Sequence, residues 1–142
     1  MQTVQQVLKA KGPGIFSVGP DDPVLEAIKM MAERHVGALL VMRGTALVGI
    51  LSERDYARKV VLLGRSSADT PVAQIMTANV TTVTTAASIN DCLALMTDKR
   101  IRHLPVVENG IVLGMLSIGD CVKAVIDDQR HHIEDLERFI RS

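Results

Sequence analysis

Apolar and polar positions along the chain follow an order of strand, helix, strand, strand and helix. A short apolar run at residues 15–18 predicts a strand, and the segment after Pro23 predicts a helix because its apolar residues recur at helical spacing. The nearly continuous apolar run 37–42 is typical of a buried strand. Residues 46–51 predict the next strand, and Ser52 opens a second helix.

The same order returns 65 positions later. Residues 15–60 align without a gap with residues 80–125, and nine aligned positions are identical. The match is clearest between Val48-Gly49-Ile50-Leu51-Ser52-Glu53-Arg54-Asp55 and Leu113-Gly114-Met115-Leu116-Ser117-Ile118-Gly119-Asp120. In the second copy Asn109-Gly110 stands between two strands, and this dipeptide is a strong hairpin signal. The chain therefore contains an internal duplication.

Neither copy, at about 60 residues, would bury a stable core alone. We therefore expect an α/β (α+β) fold with two pseudo-symmetric βαββα repeats packed sheet to sheet, helices outside, and an extended C-terminal helix. The expected boundaries are residues 12–63 for the first repeat, 64–76 for a linker and short helix, 77–127 for the second repeat and 128–142 for the C-terminal helix extension. Residues 3–10 predict one more helix, the counterpart of the short one.

The last helix carries a narrow apolar seam. Its positions are Val122, Ile126, Gln129, Ile133, Leu136 and Ile140, at steps of 4, 3, 4, 3 and 4. Charged residues flank the seam, as in a coiled-coil contact. Two interpretations stay open: the helix packs back on its own domain, or it forms the contact of a homodimer.

Composition excludes several classes of function. Lys and Arg number 16 and Asp and Glu 16, so the chain lacks the positive charge that a nucleic-acid binder uses to neutralise phosphates. Aromatic residues are 2% of the chain, too few for a base-stacking surface. No apolar run approaches the roughly 18 residues that span a membrane, and the N-terminus lacks a signal-peptide core. Two cysteines fit a reducing compartment, so we expect a cytoplasmic protein.

The duplicated pattern resembles a tandem pair of cystathionine β-synthase (CBS) domains. Each repeat ends in Gly-apolar-x-Ser-x-x-Asp, and the second also carries Arg102-His103-Leu104-Pro105-Val106-Val107, close to the family's "LPVV" strand. Residues 53–59 and 64–67 resemble the small stand-alone bacterial members. The resemblance implies an adenosine-containing ligand (AMP, ADP, ATP, NAD or S-adenosylmethionine) in clefts between the repeats, and dimerisation of the pair. It implies sensing rather than catalysis.

The residues of the shared motif suit such a ligand. A carboxylate such as Asp55 or Asp120 can accept both ribose hydroxyls through charge-assisted hydrogen bonds. A helix N-terminus favours phosphate, and the glycines Gly49 and Gly114 would let the backbone approach a ligand closely. Ser-x-x-Asp at a helix start is also an ordinary N-cap, and capping and binding can coexist.

The family's pattern implies two unequal sites. The first comprises Asp120 and Ser117 for the ribose, Met115, Phe16, Val36 and Gly37 around the adenine, and Arg102 and His103 facing the phosphates. The mirror site comprises Asp55 and Ser52, the lining residues Ile50, Thr81 and Ile101, and a cation from Arg54, Lys59 or Arg65. The second site needs that cation because Gly37-Ala38 replaces Arg102-His103. The alternative for most of these cations is a solvated surface, and for His103 a structural hydrogen bond.

Signatures of catalysis and metal binding are missing from the sequence. A P-loop, a GxGxxG fingerprint and a Gly-x-Ser-x-Gly elbow are absent. His131 and His132 point about 100° apart on a helix, so we expect no metal site there. Together with the family resemblance, this predicts a non-enzymatic module in which an adenine nucleotide shifts repeat packing or dimer state and an unidentified protein target reads the change. The alternative is a structural dimerisation module without a ligand.

Overall fold

The computed structural model describes residues 2–141, and its elements follow the predicted order. The helices are α1 (Val4–Lys11), α2 (Val24–Arg34), α3 (Glu53–Tyr56), α4 (Ile89–Lys99) and α5 (Ile118–Arg141). The strands are β1 (Ser17–Val18), β2 (Ala38–Arg43), β3 (Ala46–Ser52), β4 (His103–Glu108) and β5 (Ile111–Ser117). The mixed α/β fold class is confirmed.

The strands form two small sheets. In the first, β1 pairs in parallel with β2, and β2 pairs antiparallel with β3, with a bulge between Val41 and Met42. The second sheet contains β4 and β5, whose turn residues Asn109 and Gly110 have φ of 50° and 78°, as a tight two-residue hairpin requires. The strand predicted at residues 80–83 is reduced to one parallel bridge between Val83 and Val106. After this bridge the Thr85 backbone N–H donates to the Glu108 side chain rather than to a strand.

The chain divides into two compact units. Unit 1 contains residues 2–13, 82–108 and 113–141, so α1 belongs with the second repeat. Unit 2 contains residues 14–81 and 109–112.

Each unit has its own apolar core, and equivalent positions of the two repeats build both. Seven core positions correspond at the spacing of 65. Six lie in the aligned repeats, namely Val24/Ile89, Ala27/Cys92, Met31/Met96, Leu39/Leu104, Val41/Val106 and Leu51/Leu116, and the seventh is Val7/Val72. The first helix adds Val4 and Val7 to the core of unit 1, and the 3-10 turn Val72–Gln74 adds Val72 to that of unit 2. Burying one such side chain contributes about 1.5–3 kcal/mol, so the repeated pattern determines both cores.

The helix predicted from Ser52 to about residue 63 is only partly α-helical. It begins as α3, but a π-helical turn at Ala57–Val61 replaces its second half. There Leu62 and Arg65 donate their N–H groups to carbonyls five residues earlier. The equivalent helix of unit 1, α5, continues for 24 residues.

The apolar seam of α5 is exposed. Only Cys121 and Ala124 of this helix are buried. The seam residues Ile126, Ile133 and Leu136 are 43%, 54% and 49% exposed, and Ile140 is 80% exposed. The interpretation that the seam packs back on its own domain is therefore wrong, and the seam is left as a surface of the chain.

Candidate functional site

In unit 1 the predicted ribose-binding pair forms the N-terminal cap of α5. The Ser117 backbone N–H donates to Asp120 Oδ2 at 2.9 Å, and the Asp120 N–H donates to Ser117 Oγ at 3.1 Å. Serine and acid satisfy each other's backbone donor, which is the reciprocal arrangement of a capping box. Capping thus explains why the chain places Ser-x-x-Asp at this point.

A second group reaches the same carboxylate. Lys11, the last residue of α1, places its Nζ 2.8 Å from Asp120 Oδ2 and 2.9 Å from the Met115 carbonyl oxygen. Helix α1 is anchored at its other end by the cap of Thr3 and by Gln2, which donates to Asp128 and Ala124. The sequence carries no signal for this role of Lys11, because the spacing of residues 3–10 indicates only a helix.

The surroundings of Asp120 favour its charged form. Burial raises the pKa of Asp120, but the hydrogen bond from Lys11, the bond from the Ser117 N–H and the charge of Lys11 together outweigh burial. The net pKa lies below the ordinary value, so the carboxylate is ionised near neutral pH. An ionised carboxylate is the form that accepts hydrogen bonds from hydroxyl groups.

Two predicted phosphate ligands lie at the same end of unit 1. The Ile118 N–H donates to the Arg102 carbonyl at 2.8 Å, which holds the start of β4 beside the start of α5. Burial lowers the pKa of His103, the charges of Lys11 and Arg102 lower it further, and Asp120 opposes them. The imidazole is therefore neutral near pH 7. Unit 1 thus brings together Ser117, Asp120, Met115, Arg102 and His103, while Ile101 packs against its core.

Unit 2 repeats the cap and changes the cation. Ser52 donates from its N–H and its Oγ to Asp55 Oδ2 at 3.0 and 3.1 Å, and Asp55 returns its N–H to Ser52 Oγ at 3.2 Å. The cation is Lys59, whose Nζ lies 3.3 Å from Asp55 Oδ1 and donates to the Ile75 carbonyl at 3.0 Å. The Glu53 N–H donates to the Gly37 carbonyl at 3.0 Å, the counterpart of the bond between Ile118 and Arg102.

The other predicted site residues of unit 2 mostly contact its backbone or its core. Ile50 exchanges both backbone hydrogen bonds with Thr77, at 2.9 and 3.0 Å. Phe16 and Val36 pack against the core, and the Arg34 guanidinium lies 5.2 Å from the centroid of the Phe16 ring. Arg54 lies within α3, and Thr81 is half-buried.

Other side chains of the same chain fill the space beside the two motif glycines, Gly49 and Gly114. A Cβ added at Gly49 would lie 2.5 Å from Met76 Sδ and 3.1 Å from the Thr77 carbonyl oxygen. A Cβ added at Gly114 would lie 3.0 Å from Leu8 Cδ2. The expectation that these glycines admit a ligand is therefore wrong, because the chain's own atoms occupy the space beside each of them.

Other chemistry is sparse in the described residues. Among residues 2–141 no group of three or more His, Cys, Asp or Glu side chains could hold a metal ion. Within the same range no helix combines the length and the apolar character needed to cross a membrane. Cys92 and Cys121 are buried free thiols, and burial raises the pKa of Cys121 to about 11, which makes it a poor nucleophile.

Comparison with known proteins gives consistent matches over nearly the whole chain. The family model described as CBS domain matches residues 12–62 and 72–127. The Arabidopsis thaliana protein CBSX3, named as mitochondrial, is 40% identical over 98% of this chain and 72% of its own length. The longer Arabidopsis thaliana protein CBSCBSPB5 is 39% identical, and this chain spans 21% of it.

Solved structures also match this chain over most of its length. A protein with CBS domains from Burkholderia ambifaria, described as a candidate signal-transduction protein, is 53% identical with a TM-score of 0.87, over 90% of this chain and 96% of that one. The CBS domain pair of protein MJ0100 was solved in complex with 5'-methylthioadenosine and S-adenosyl-L-methionine. It is 21% identical with a TM-score of 0.79, over 89% of this chain and 98% of that one, and this likeness concerns the fold alone.

Proposed function

The chain belongs to the CBS-domain family, and from this premise we propose that it is a regulatory module that binds an adenosine-containing ligand without converting it. CBS-pair proteins are commonly regulatory, and one structural neighbour holds adenosine compounds. The observation that carries the proposal is the cluster in unit 1, where an ionised Asp120 lies beside Ser117, Arg102 and His103.

The chemistry of that cluster fits the two ends of a nucleotide. Asp120 accepts hydrogen bonds from the two ribose hydroxyls, and Ser117 presents a hydroxyl at the same helix end. Arg102 and His103 face the phosphates, and Met115 lies beside the base. The candidate ligands are AMP, ADP, ATP, NAD and S-adenosylmethionine. Ser52 and Asp55 provide a second and weaker site, because unit 2 has Gly37-Ala38 in place of Arg102-His103.

The proposed readout is the association of two copies. The exposed seam of α5 offers an apolar stripe on a charged helix, which is the pattern of a helix pair. Ile133 and Val125 also line an open groove of about 460 Å³ on unit 1, where an apolar side chain of a second copy would fit. The ligand would shift this homodimer equilibrium and a protein target would read the shift. The free thiols fit a reducing compartment such as the cytoplasm.

A second candidate function is a dimerisation module that binds no ligand. The same exposed seam favours it, because the seam needs no nucleotide to associate.

The test is a thermal-shift and calorimetric titration with AMP, ATP, NAD and S-adenosylmethionine, on the wild type and on Asp120→Asn, with Asp55→Asn as the matched variant in unit 2. A ligand at 100 times its Kd stabilises the folded state by about 2.7 kcal/mol. We expect Asp120→Asn to remove most of that stabilisation and Asp55→Asn to leave most of it. If no compound stabilises the wild type, the ligand-free module is correct. If chromatography shows conversion of a bound nucleotide, the proposal of binding without turnover is wrong.

A further inference from the structure

We infer that Lys11 makes the site of unit 1 selective for ligands that carry phosphate, over adenosine compounds with an uncharged or cationic tail. This inference rests on the proposed function. The Lys11 ammonium group already forms an ion pair with Asp120, the carboxylate that would bind the ribose. Nζ lies 2.8 Å from Asp120 Oδ2 and 2.9 Å from the Met115 carbonyl oxygen.

A ribose that places one hydroxyl on each carboxylate oxygen of Asp120 competes with Lys11 for Oδ2. When the ribose displaces Lys11, the ammonium group loses the electrostatic stabilisation of its ion pair with Asp120. A ligand with a neutral tail therefore gains the ribose contact at the expense of that ion pair. A phosphate changes this balance, because it gives Lys11 a new anion to pair with. Lysine suits such an exchange, since its charge sits at the end of a flexible four-carbon stem.

The charges around the site point the same way. Lys11 and Arg102 carry two positive charges against the single negative charge of Asp120, and His103 is neutral because burial and those cations lower its pKa. A terminal phosphate brings a charge of about −1.5 to −2 and offsets this excess. The sulfonium group of S-adenosylmethionine adds a positive charge to it.

The duplication supplies an internal comparison. At the spacing of 65, Met76 stands in unit 2 where Lys11 stands in unit 1. In unit 2 the Ile50 carbonyl accepts from the Thr77 N–H at 2.9 Å, whereas in unit 1 the equivalent Met115 carbonyl accepts from Lys11. The two sites therefore differ in the origin of the lysine that pairs with the acid. Unit 2 has Met76 at the Lys11 position and pairs Asp55 with Lys59, whereas unit 1 has Ala124 at the position equivalent to Lys59. Lys11→Met thus removes the lysine of the unit 1 site and introduces the residue that unit 2 has at this position.

Lys11 can leave Asp120 without unfolding its helix. It is the last residue of α1, and the buried Val4 and Val7 hold the preceding turns in the core. Gly12 follows at once, with φ of 87°. The end of α1 is thus the part of the helix that a competing ligand can displace.

The experiment is calorimetric titration of the wild type, Lys11→Met and Lys9→Met with adenosine, AMP and S-adenosylmethionine. Lys9 lies on the same helix and is exposed, so Lys9→Met removes an equal charge away from Asp120. We expect Lys11→Met to weaken AMP about tenfold, the size of one charge-assisted hydrogen bond, and to leave adenosine unchanged or tighter. Lys9→Met should keep the wild-type ratio of the AMP and adenosine affinities.

The outcomes separate this inference from the proposed function. If AMP and adenosine bind the wild type, if Asp120→Asn weakens both, and if Lys11→Met leaves their ratio unchanged, the inference is wrong and the proposed function stands. An equal loss for both ligands in Lys11→Met also overturns it, because that result indicates a structural role. If none of the three compounds binds the wild type, the inference fails, and the proposed function also fails unless ATP or NAD binds.

Discussion

Substitution of Gly49 by alanine tests whether the chain itself requires this glycine. The added Cβ would lie 2.5 Å from Met76 Sδ, 3.0 Å from Met76 Cγ and 3.1 Å from the Thr77 carbonyl oxygen. Non-bonded carbon atoms prefer separations of about 3.5–4.0 Å. Met76 can move its sulfur away, but Thr77 is held by two backbone hydrogen bonds to Ile50, at 2.9 and 3.0 Å. The clash therefore has a part that side-chain motion cannot relieve.

The size of the effect follows from two opposing contributions. Overpacking of this kind costs about 1–3 kcal/mol. Alanine in a strand is favoured over glycine by roughly 0.5–1 kcal/mol, because glycine loses more conformational freedom on folding. We expect Gly49→Ala to lower the free energy of unfolding by about 1–2 kcal/mol, which corresponds to a fall in Tm of roughly 3–8 °C.

Gly114→Ala is the matched control. Its Cβ would meet only the end of the Leu8 side chain, at 3.0 Å, and no backbone atom lies among its nearest contacts. Leu8 can yield by a few tenths of an ångström, so the gain from alanine and the clash nearly cancel. We expect a change within about 0.5 kcal/mol.

The assay is urea denaturation of the wild type, both glycine variants, Met76→Ala and the double variant Gly49→Ala/Met76→Ala. Removal of the Met76 side chain should reduce the cost of Gly49→Ala, with a coupling energy of about 0.5–1.5 kcal/mol. The reasoning is refuted if Gly114→Ala is as destabilising as Gly49→Ala. It is also refuted if the cost of Gly49→Ala is the same with and without Met76.

Three further predictions follow from the charges of unit 1 and from α5. The lowered pKa of Asp120 stabilises the folded state above the ordinary pKa of aspartate, and this stability is lost as the pH falls below about 5. Asp120→Asn should therefore reduce the loss of unfolding free energy between pH 7 and pH 3. An unchanged pH dependence contradicts the ion pair. Lys11→Met should raise the pKa of His103 in an NMR titration, because the charge of Lys11 lowers it, whereas an unmoved titration places Lys11 elsewhere in solution. Leu136→Glu should convert the proposed homodimer to a monomer in light scattering, and an unaltered mass rules out the seam as the contact.

The part of each core that lies in the repeats could be predicted from the order of residues alone. The pairs Leu39/Leu104 and Leu51/Leu116 are fully buried at equivalent positions, as the alignment predicts. Helix ends repeat as well, since His35 and Arg100, 65 positions apart, both end their helices with φ of 55°. Such features follow from the spacing of neighbouring residues, and this spacing is the same in both repeats.

The candidate site was predicted in part. Ser-x-x-Asp at a helix start specifies a local cap, and the structure has this cap in both units. The roles of Phe16, Val36, Gly37, Thr81 and Ile101 toward a ligand remain predictions. The spacing of 65, extended beyond the aligned residues, pairs Lys11 with Met76, but it does not show that either side chain reaches the strand of the motif.

The sequence by itself determined the hairpin and the caps, because each depends on residues a few positions apart. The duplication also showed which apolar positions of the two repeats would be buried. Only the tertiary structure decided that Lys11 meets Asp120, 109 positions away, and that Leu8 and Met76 fill the space beside the two glycines. The physical reason is that the packing of a short helix against the core, and not its local sequence, decides which neighbours its side chains contact. Packing of Val4 and Val7, rather than any local preference, directs the end of α1 toward the acid.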